Sequence, residues 1–254
     1  MRLRWRRMRS GYYAAGEQRA ARVNDLFATI APRYDLINDL QSLGCHRLWK
    51  RRLVQISEAG PGQRALDLCC GTGDVAFALA GRGASVAALD FSGPMLSVAL
   101  GRAAGARPSR PTSAPAAGRV TFLRGDALSL PFPDESFDVV TISYGLRNLA
   151  DWEAGLREMR RVARVGGKLL VLDFGKPDNA AWRACYFAYL RAGVPWFGRV
   201  FCGDAHTHAY IYTSLCQYPA QHGVAAGMRA LGCRDTRIVP LLGGVMTINY
   251  GIRA

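Results

Sequence analysis

Asp67, Gly71, Gly73 and Asp90 stand in the order and spacing of a nucleotide-cofactor socket. Around Asp67 the run Arg64 to Leu68 is apolar and β-prone, as a buried parallel strand is, and Gly71 and Gly73 then allow a tight turn where backbone can touch a ligand. A helix is predicted to begin near Asp74. A second apolar run, Ser85 to Leu89, ends at Asp90, whose carboxylate would accept hydrogen bonds from two ribose hydroxyls, as acids do in dinucleotide folds. Two more features favour S-adenosylmethionine (SAM) over a dinucleotide. Asp67 lies inside the strand before the turn, where it would face a sulfonium or the amino group of a methionine moiety and would repel a pyrophosphate. Asp126 follows a third apolar run, Val120 to Leu123, and would accept from an adenine amino group. The blander reading, in which both acids only cap turns, leaves their joint spacing unexplained.

The elements that must position these residues alternate. Val23 to Ile30 has helical spacing at Val23, Leu26, Phe27 and Ile30 and stops at Pro32, and a second helix is expected from about His46 to Ser57. Between them Tyr34 to Asp39, polar and aromatic, is expected to fold over the site as a lid. After the glycine turn come a helix through Ala80, the second strand, a helix from about Pro94 to Ala103 with Ser92 as its cap, and the third strand. A fourth strand Phe137 to Ile142, a helix Trp152 to Val162 and a fifth strand Lys168 to Phe174, introduced by a Gly166-Gly167 turn, continue the pattern. Two closing strands, near Arg234 to Val239 and Val245 to Ile252, suit an antiparallel hairpin at the sheet edge. The predicted class is α/β, a doubly wound Rossmann-like seven-stranded sheet of the class I SAM-dependent methyltransferase type. Residues 23–254 form one domain with a helical lid over residues 23–57; residues 107–118, rich in Pro, Ser, Thr and Ala, make a flexible insertion, and residues 1–22 a disordered basic tail. Trp182, Tyr186 and Tyr189 share one helical face, which suits a lid helix, an interfacial helix or core packing.

The 254 residues, 50% of them hydrophobic, suffice for one α/β domain with a full core. Seven cysteines, an odd number with Cys69 and Cys70 adjacent and no Cys-x-x-Cys pair, argue against a disulfide framework or zinc ribbon and for a reducing cytoplasm. The net charge of +14 rests almost wholly on arginine, since Lys50, Lys168 and Lys176 are the only lysines. Such a surface is drawn to nucleic acid or to anionic lipid, and charge alone does not choose between them. No apolar run reaches the ~18 residues of a spanning helix. Arg2, Arg4, Arg6, Arg7 and Arg9 precede no hydrophobic signal core, so the start reads as a basic tail at a membrane surface or a short transit segment.

Tyr34-Asp35 with Asn38, Ser42, His46 and Trp49, then Leu130-Pro131-Phe132-Pro133-Asp134, Gly145-Leu146-Arg147-Asn148, and Arg161-Val162 with Gly166-Gly167 add a family pattern. Together they resemble the ubiquinone/menaquinone biosynthesis C-methyltransferase family, from about Val23 to the C-terminus. The chain departs from that pattern at Ile37, Gln41, Asp173 and Gly175, and none of these removes a cofactor contact. Asp67 to Gly71, Leu172-Asp173-Phe174, Ser214-Leu215 and Tyr218-Pro219 are most similar to the branch that methylates naphthoquinols. The resemblance implies SAM contacts at Thr72, Asp90, Asp126, Ala127 and Ser143, beside Asp67, Gly71 and Gly73 of the socket. It also implies a catalytic Arg147 and substrate contacts at Tyr34, Asn148, Asp204 and Tyr210.

The implied reaction moves a methyl group from SAM to a ring carbon of a polyprenyl quinol. Demethylmenaquinol is the first choice, and a ubiquinone-precursor benzoquinol or a phytyl naphthoquinol the alternative. No metal is required. Arginine stays protonated, so Arg147, at the carboxyl edge of the sheet, would act as a cation that stabilises a developing quinolate rather than as a base. His206 and His208 are candidate proton acceptors, with packing or capping as their competing role. Cys202, His206, His208 and Cys216 fit no standard zinc spacing. Ser143-Tyr144-Gly145 replaces the Asn/Asp-Pro-Pro-aromatic of amino-methylating enzymes, and no Pro-Cys pair supplies a pyrimidine nucleophile, so no nucleic-acid substrate is expected. A non-catalytic SAM-binding subunit is the rival from another class. The expected place is the cytoplasm, peripheral on an anionic membrane face, with a homodimer left open.

Overall fold

The structure, a computed structural model, describes residue 31 and residues 34–105, 118–194 and 206–254. The basic tail, the predicted helix Val23 to Ile30 and the insertion up to residue 117 lie outside the described residues. In chain order the helices are α1 (Tyr34–Ser42), α2 (Cys45–Ser57), α3 (Asp74–Ala80), α4 (Gly93–Gly105), α5 (Trp152–Val162), α6 (Ala180–Ala188), α7 (His206–Gln217) and α8 (Ala220–Ala230). The strands are β1 (Arg64–Leu68), β2 (Ser85–Asp90), β3 (Val120–Arg124), β4 (Phe137–Ser143), β5 (Ala163–Phe174), β6 (Cys233–Leu241) and β7 (Met246–Arg253). They form one seven-stranded sheet in the order β3-β2-β1-β4-β5-β7-β6, parallel from β3 to β5, with β7 antiparallel to both neighbours.

Burial on both faces explains the near-continuous apolar runs. Leu66, Leu68, Val140, Ile142, Leu169 and Val171 face one layer, with Leu156 and Met159 of α5 and Val224 and Met228 of α8. Ala65, Val86, Ala88, Val139, Leu170 and Leu172 face the other, with Leu53 and Val54 of α2 and Val75 and Leu79 of α3. Each fully buried leucine contributes about 1.5–3 kcal/mol, so a one-residue slip of β1 is strongly disfavoured. Because strand side chains alternate, Leu66 and Leu68 on the first face place Asp67 on the second, toward α2 and α3.

Several local expectations change. Tyr34 to Asp39, placed between two helices by the sequence pattern, is itself helical and starts α1. The Gly166-Gly167 pair lies within β5, which starts at Ala163; Gly166 takes φ +78° and the register with β4 shifts between Phe137 and Val139, as in a bulge. Ser92 does not cap α4 through its side chain: its hydroxyl is buried without a partner, and its carbonyl accepts from Leu96 N–H at 3.1 Å. Trp182, Tyr186 and Tyr189 do not share one environment, since Tyr186 is buried while Trp182 and Tyr189 are 40% and 50% exposed. The closing hairpin forms as expected, with β7 inside and β6 at the edge. Among the described residues no helix is long and apolar enough to cross a membrane.

The Leu130 to Asp134 loop is lashed to α5 by Arg161. Its guanidinium donates to Glu158 Oε1 (2.7 Å) and Oε2 (2.8 Å), Asp134 Oδ1 (2.8 Å), and the carbonyls of Phe132 (2.8 Å) and Leu130 (3.1 Å). Two of those acceptors are backbone carbonyls, so Arg161→Ala is expected to cost about 2 kcal/mol. The check is urea unfolding: a lower midpoint at unchanged slope is expected, and an unchanged midpoint would show the lashing to be idle.

Candidate functional site

At the carboxyl ends of β1, β2 and β4 the sheet opens into two adjoining cavities. The larger, about 880 Å³ counted to its open mouth, has walls that include Asp90, Met95, Asp126, Ala127, Asn148 and Leu149. The smaller, about 320 Å³, is walled by Lys50, Asp67, Cys70, Thr72, Asp74 and Val75. Tyr34, Cys69, Gly71, Ser143 and Tyr144 line both.

Reversal of the chain after β1 takes three left-handed residues, Cys69 (φ +51°), Gly71 (φ +54°) and Gly73 (φ +88°). At Gly73 a Cβ would stand 2.9 Å from the Phe77 ring, so only glycine can head α3 this closely. Asp90 fixes the turn: Gly71 N–H donates to its Oδ2 at 2.7 Å and Ser92 N–H to its Oδ1 at 2.8 Å. Burial pushes the Asp90 carboxyl up, and these N–H groups work against the rise. After β4 the chain turns through Tyr144 (φ +59°), a left-handed non-glycine residue of the kind found at functional sites. A Cβ at Gly145 would stand 2.5 Å from Cys69 Cβ, which brings the two strand ends together.

Asp67 is 1% exposed; Thr141 Oγ1 donates to its Oδ1 at 2.8 Å, while Oδ2 has no hydrogen-bond partner. Burial pushes this carboxyl up to about 7 against the pull of Thr141 and Lys50. Thr72 Oγ1 donates to Asp35 Oδ1 at 2.9 Å, drawing α1 onto the turn. Arg102 ties the same region together, donating to Thr72 O (2.9 Å), Asp35 Oδ2 (3.3 Å) and Asp74 Oδ1 (2.7 Å), while Lys50 Nζ donates to Asp74 Oδ2 at 2.8 Å. Burial alone would raise the Asp74 carboxyl, but Lys50 and Arg102 hold it at about 2. Asp126 Oδ1 accepts from Leu128 N–H at 2.9 Å at the rim of the larger cavity.

Of the residues singled out by sequence, the structure brings Asp67, Gly71, Thr72, Asp90, Asp126, Ala127, Ser143, Tyr34 and Asn148 onto cavity walls. Gly73 shapes the turn from behind. Arg147 lines neither cavity. Its side chain is 2% exposed, with Nη1 3.6 Å from Asp173 Oδ1, donating to Tyr144 O at 2.8 Å, and the guanidinium 4.7 Å from the Phe174 ring centre. Asp204 lies outside the described residues, and Tyr210 is described only as backbone of α7. Lys50 and Tyr144 were not singled out. Lys50 had one signal, a lysine in a chain whose cations are almost all arginine.

These walls fit SAM. Asp67 Oδ2 and Ser143 Oγ are buried without partners, and Asp90 and Asp126 add acceptors. Buried polar atoms of this kind call for a ligand rich in donors. Among the described residues no cation lines the larger cavity, so a pyrophosphate would meet no charged groups but carboxylates there, whereas ribose hydroxyls, an adenine amino group and a sulfonium suit them.

The solved structures that this fold matches include a SAM-dependent methyltransferase from Thermotoga maritima (TM-score 0.63, 17% identity, covering 91% of this chain and 99% of that one). Another is a SAM-dependent methyltransferase from Aquifex aeolicus (TM-score 0.54, 17% identity, 81% and 89%). At such identity they speak for the fold. By sequence the chain is 38% identical over 240 residues to the demethylmenaquinone methyltransferase of Desulfitobacterium hafniense, covering 93% of this chain and 92% of that protein. It is also 38% identical over 247 residues to the ubiquinone/menaquinone biosynthesis C-methyltransferase UbiE of Azotobacter vinelandii, covering 96% and 94%. The model of the ubiE/COQ5 methyltransferase family matches residues 14–253, so nearly the whole length of this chain belongs to that family.

Proposed function

We propose that the chain transfers a methyl group from SAM to a ring carbon of a demethylated polyprenyl naphthoquinol, yielding menaquinol. SAM-dependent C-methylation in quinone biosynthesis is the coarser statement its family carries. The naphthoquinol rests on the name of the Desulfitobacterium relative and on the stretches similar to the naphthoquinol branch. The observation that carries the reading is the meeting of an adenosine-sized and a smaller polar cavity at Ser143 and Tyr144. A benzoquinol is the second reading, favoured by the name of the Azotobacter relative.

In this reading Asp90 receives the ribose, Asp126 and Ala127 the adenine, and Gly71, Thr72, Gly73 and Ser143 the span between. Asp67 faces the methionine ammonium. When bound, SAM supplies an electrophilic methyl group. Tyr34 and Asn148 hold the quinol so that its ring carbon comes within about 3 to 3.5 Å of reaction. Arg147 favours the ionised quinol oxygen. Contact with that oxygen requires the wall at Tyr144 to shift, because Asp173 and Tyr144 O now hold the guanidinium behind it. The ring proton leaves to water or to His206 or His208.

The methyl donor assay is direct. Label from radioactive SAM is expected in a demethylnaphthoquinol faster than in a polyprenyl benzoquinol; the reverse order would select the second reading, and label in neither would leave a binding subunit. Asp67 sets a pH dependence for donor binding. With its carboxyl near 7, a proton must leave before a cation is received, so affinity is expected to fall with pH below 7 and level off above it. Between pH 6 and pH 8 the gain is roughly tenfold, read by calorimetry, and Asp67→Asn should flatten it. Membrane contact rests on the +14 charge and on exposed Trp182 and Leu242, which meet through a 3.3 Å bond from Trp182 Nε1 to Leu242 O. Sedimentation with anionic liposomes at low salt is expected, and its absence would remove the idea.

A further inference from the structure

Tyr144 lines both cavities and stands as the wall between Arg147 and the quinol. Its ring is held on two sides: the Phe174 ring meets it near edge-on, centres 6.0 Å apart, and the Lys50 ammonium lies 5.9 Å from its centre. The backbone beneath it is left-handed, φ +59°, and three bonds fix it there. Arg147 Nη1 (2.8 Å) and Asn148 Nδ2 (3.0 Å) donate to Tyr144 O, and Tyr144 N–H donates to Leu172 O at 2.7 Å. With ring and backbone so secured, the hydroxyl is nevertheless buried without a hydrogen-bond partner. A buried donor left in that state is costly, which marks it as a group that awaits a ligand.

We propose that Tyr144 is a further catalytic residue, its hydroxyl donating a hydrogen bond to the quinol oxygen beside the carbon that is methylated, while Arg147 acts from behind through the Tyr144 carbonyl. The inference rests on the quinol reading above, in which adenosine and methionine fall on either side of this wall and the ring to be methylated is brought up to it. The contact asks for no shift of the wall. Burial pushes the phenol well above its ordinary range, Tyr34 and Asp173 add to the rise, and Arg147 opposes it. Tyr144 therefore keeps its proton and serves as a donor while the oxygen it holds gains negative charge. A hydrogen bond to a charged oxygen is stronger than one to a neutral hydroxyl, so the contact favours the transition state over the bound quinol.

The test is Tyr144→Phe in the full chain, which removes the hydroxyl and keeps the ring. Methyl transfer to a demethylnaphthoquinol is expected to lose about 10- to 100-fold in kcat and less than about threefold in KM, with SAM affinity by calorimetry within about twofold. The acid limb of the kcat profile, which rises as the quinol ionises, is expected to move up by about one pH unit, because the quinolate loses a donor that favours it. A hydroxyl that merely packs the wall would leave that limb in place; an unmoved limb, or a kcat within about threefold of wild type, would overturn the proposal. The wild type gives a check that needs no variant. With S-adenosylhomocysteine present, a naphthol lacking the oxygen beside the target carbon is expected to bind about three- to tenfold more weakly than the naphthoquinol, and Tyr144→Phe to bind the two alike. A wild type indifferent to that oxygen would overturn the proposal even if the variant fails to fold. A wild type that neither binds nor methylates any quinol would refute the quinol reading itself, and the proposal with it.

Discussion

Arg147→Ala is expected to lower methyl transfer by about 10²- to 10³-fold while SAM affinity stays nearly unchanged. The same substitution is expected to cost about 3–5 kcal/mol of stability, because it removes one member of a buried ion pair. Asp173 would keep the N–H groups of Arg147 (3.1 Å) and Phe174 (2.8 Å), but its carboxylate would lose the only cation that faces it among the described residues. Burial already pushes the Asp173 carboxyl up, with Arg147 pulling it down, so the variant should take up a proton there and become less stable as pH rises. Activity loss and stability loss must therefore be separated. The double variant Arg147→Met with Asp173→Asn removes both charges and is expected to regain most of the stability but none of the turnover. Recovery of turnover in the double variant would make Arg147 a structural residue only. A loss of SAM affinity beyond about tenfold in Arg147→Ala would equally contradict its place on the quinol side.

Where one rule governs a residue, the sequence was legible. β1 and β2 run as read because strands buried on both faces must be apolar throughout, which leaves Asp67 and Asp90 conspicuous as acids with a reason to be there. The turn was readable because backbone reversal needs glycine whatever the tertiary context. Residues whose role depends on docking were not. Nothing in the local pattern brings Lys50 onto the cavity that Asp67 also lines, since that requires α2 to pack on α3 through Leu53 and Val54. The family pattern located Arg147 but not the direction of its side chain, whose guanidinium is held by Tyr144 O and by the carboxylate of Asp173, 26 residues away. α8 escaped although its buried positions Ala220, Gln221, Val224, Ala225 and Met228 keep helical spacing, because glutamine and two alanines among them leave only Val224 and Met228 as strong apolar marks. The Gly166-Gly167 pair misled because glycine marks a bulge as readily as a turn.

Asp90→Ala is expected to weaken SAM by about 100-fold or more, since two hydrogen bonds from ribose to a carboxylate are each worth about 1.5–3 kcal/mol. The structure adds a second consequence. Asp90 also accepts the N–H groups of Gly71 and Ser92, so the alanine leaves two donors at the turn without acceptors, at about 1–3 kcal/mol each where water cannot reach them. Asn is no gentle replacement: both carboxylate oxygens face N–H groups, and an amide must point its own NH₂ at one of them. Both variants should therefore melt at lower temperature without any ligand, and poor SAM binding alone would not distinguish a lost ribose contact from a slack turn. Ligands carrying 2′-deoxyribose make the distinction. The wild type is expected to bind the deoxy form of S-adenosylhomocysteine at least tenfold more weakly than the ribose form, and Asp90→Ala to bind the two alike. If Asp90→Ala still prefers ribose by the wild-type factor, the carboxylate serves only the backbone, and the ribose must lie against some other part of the larger cavity.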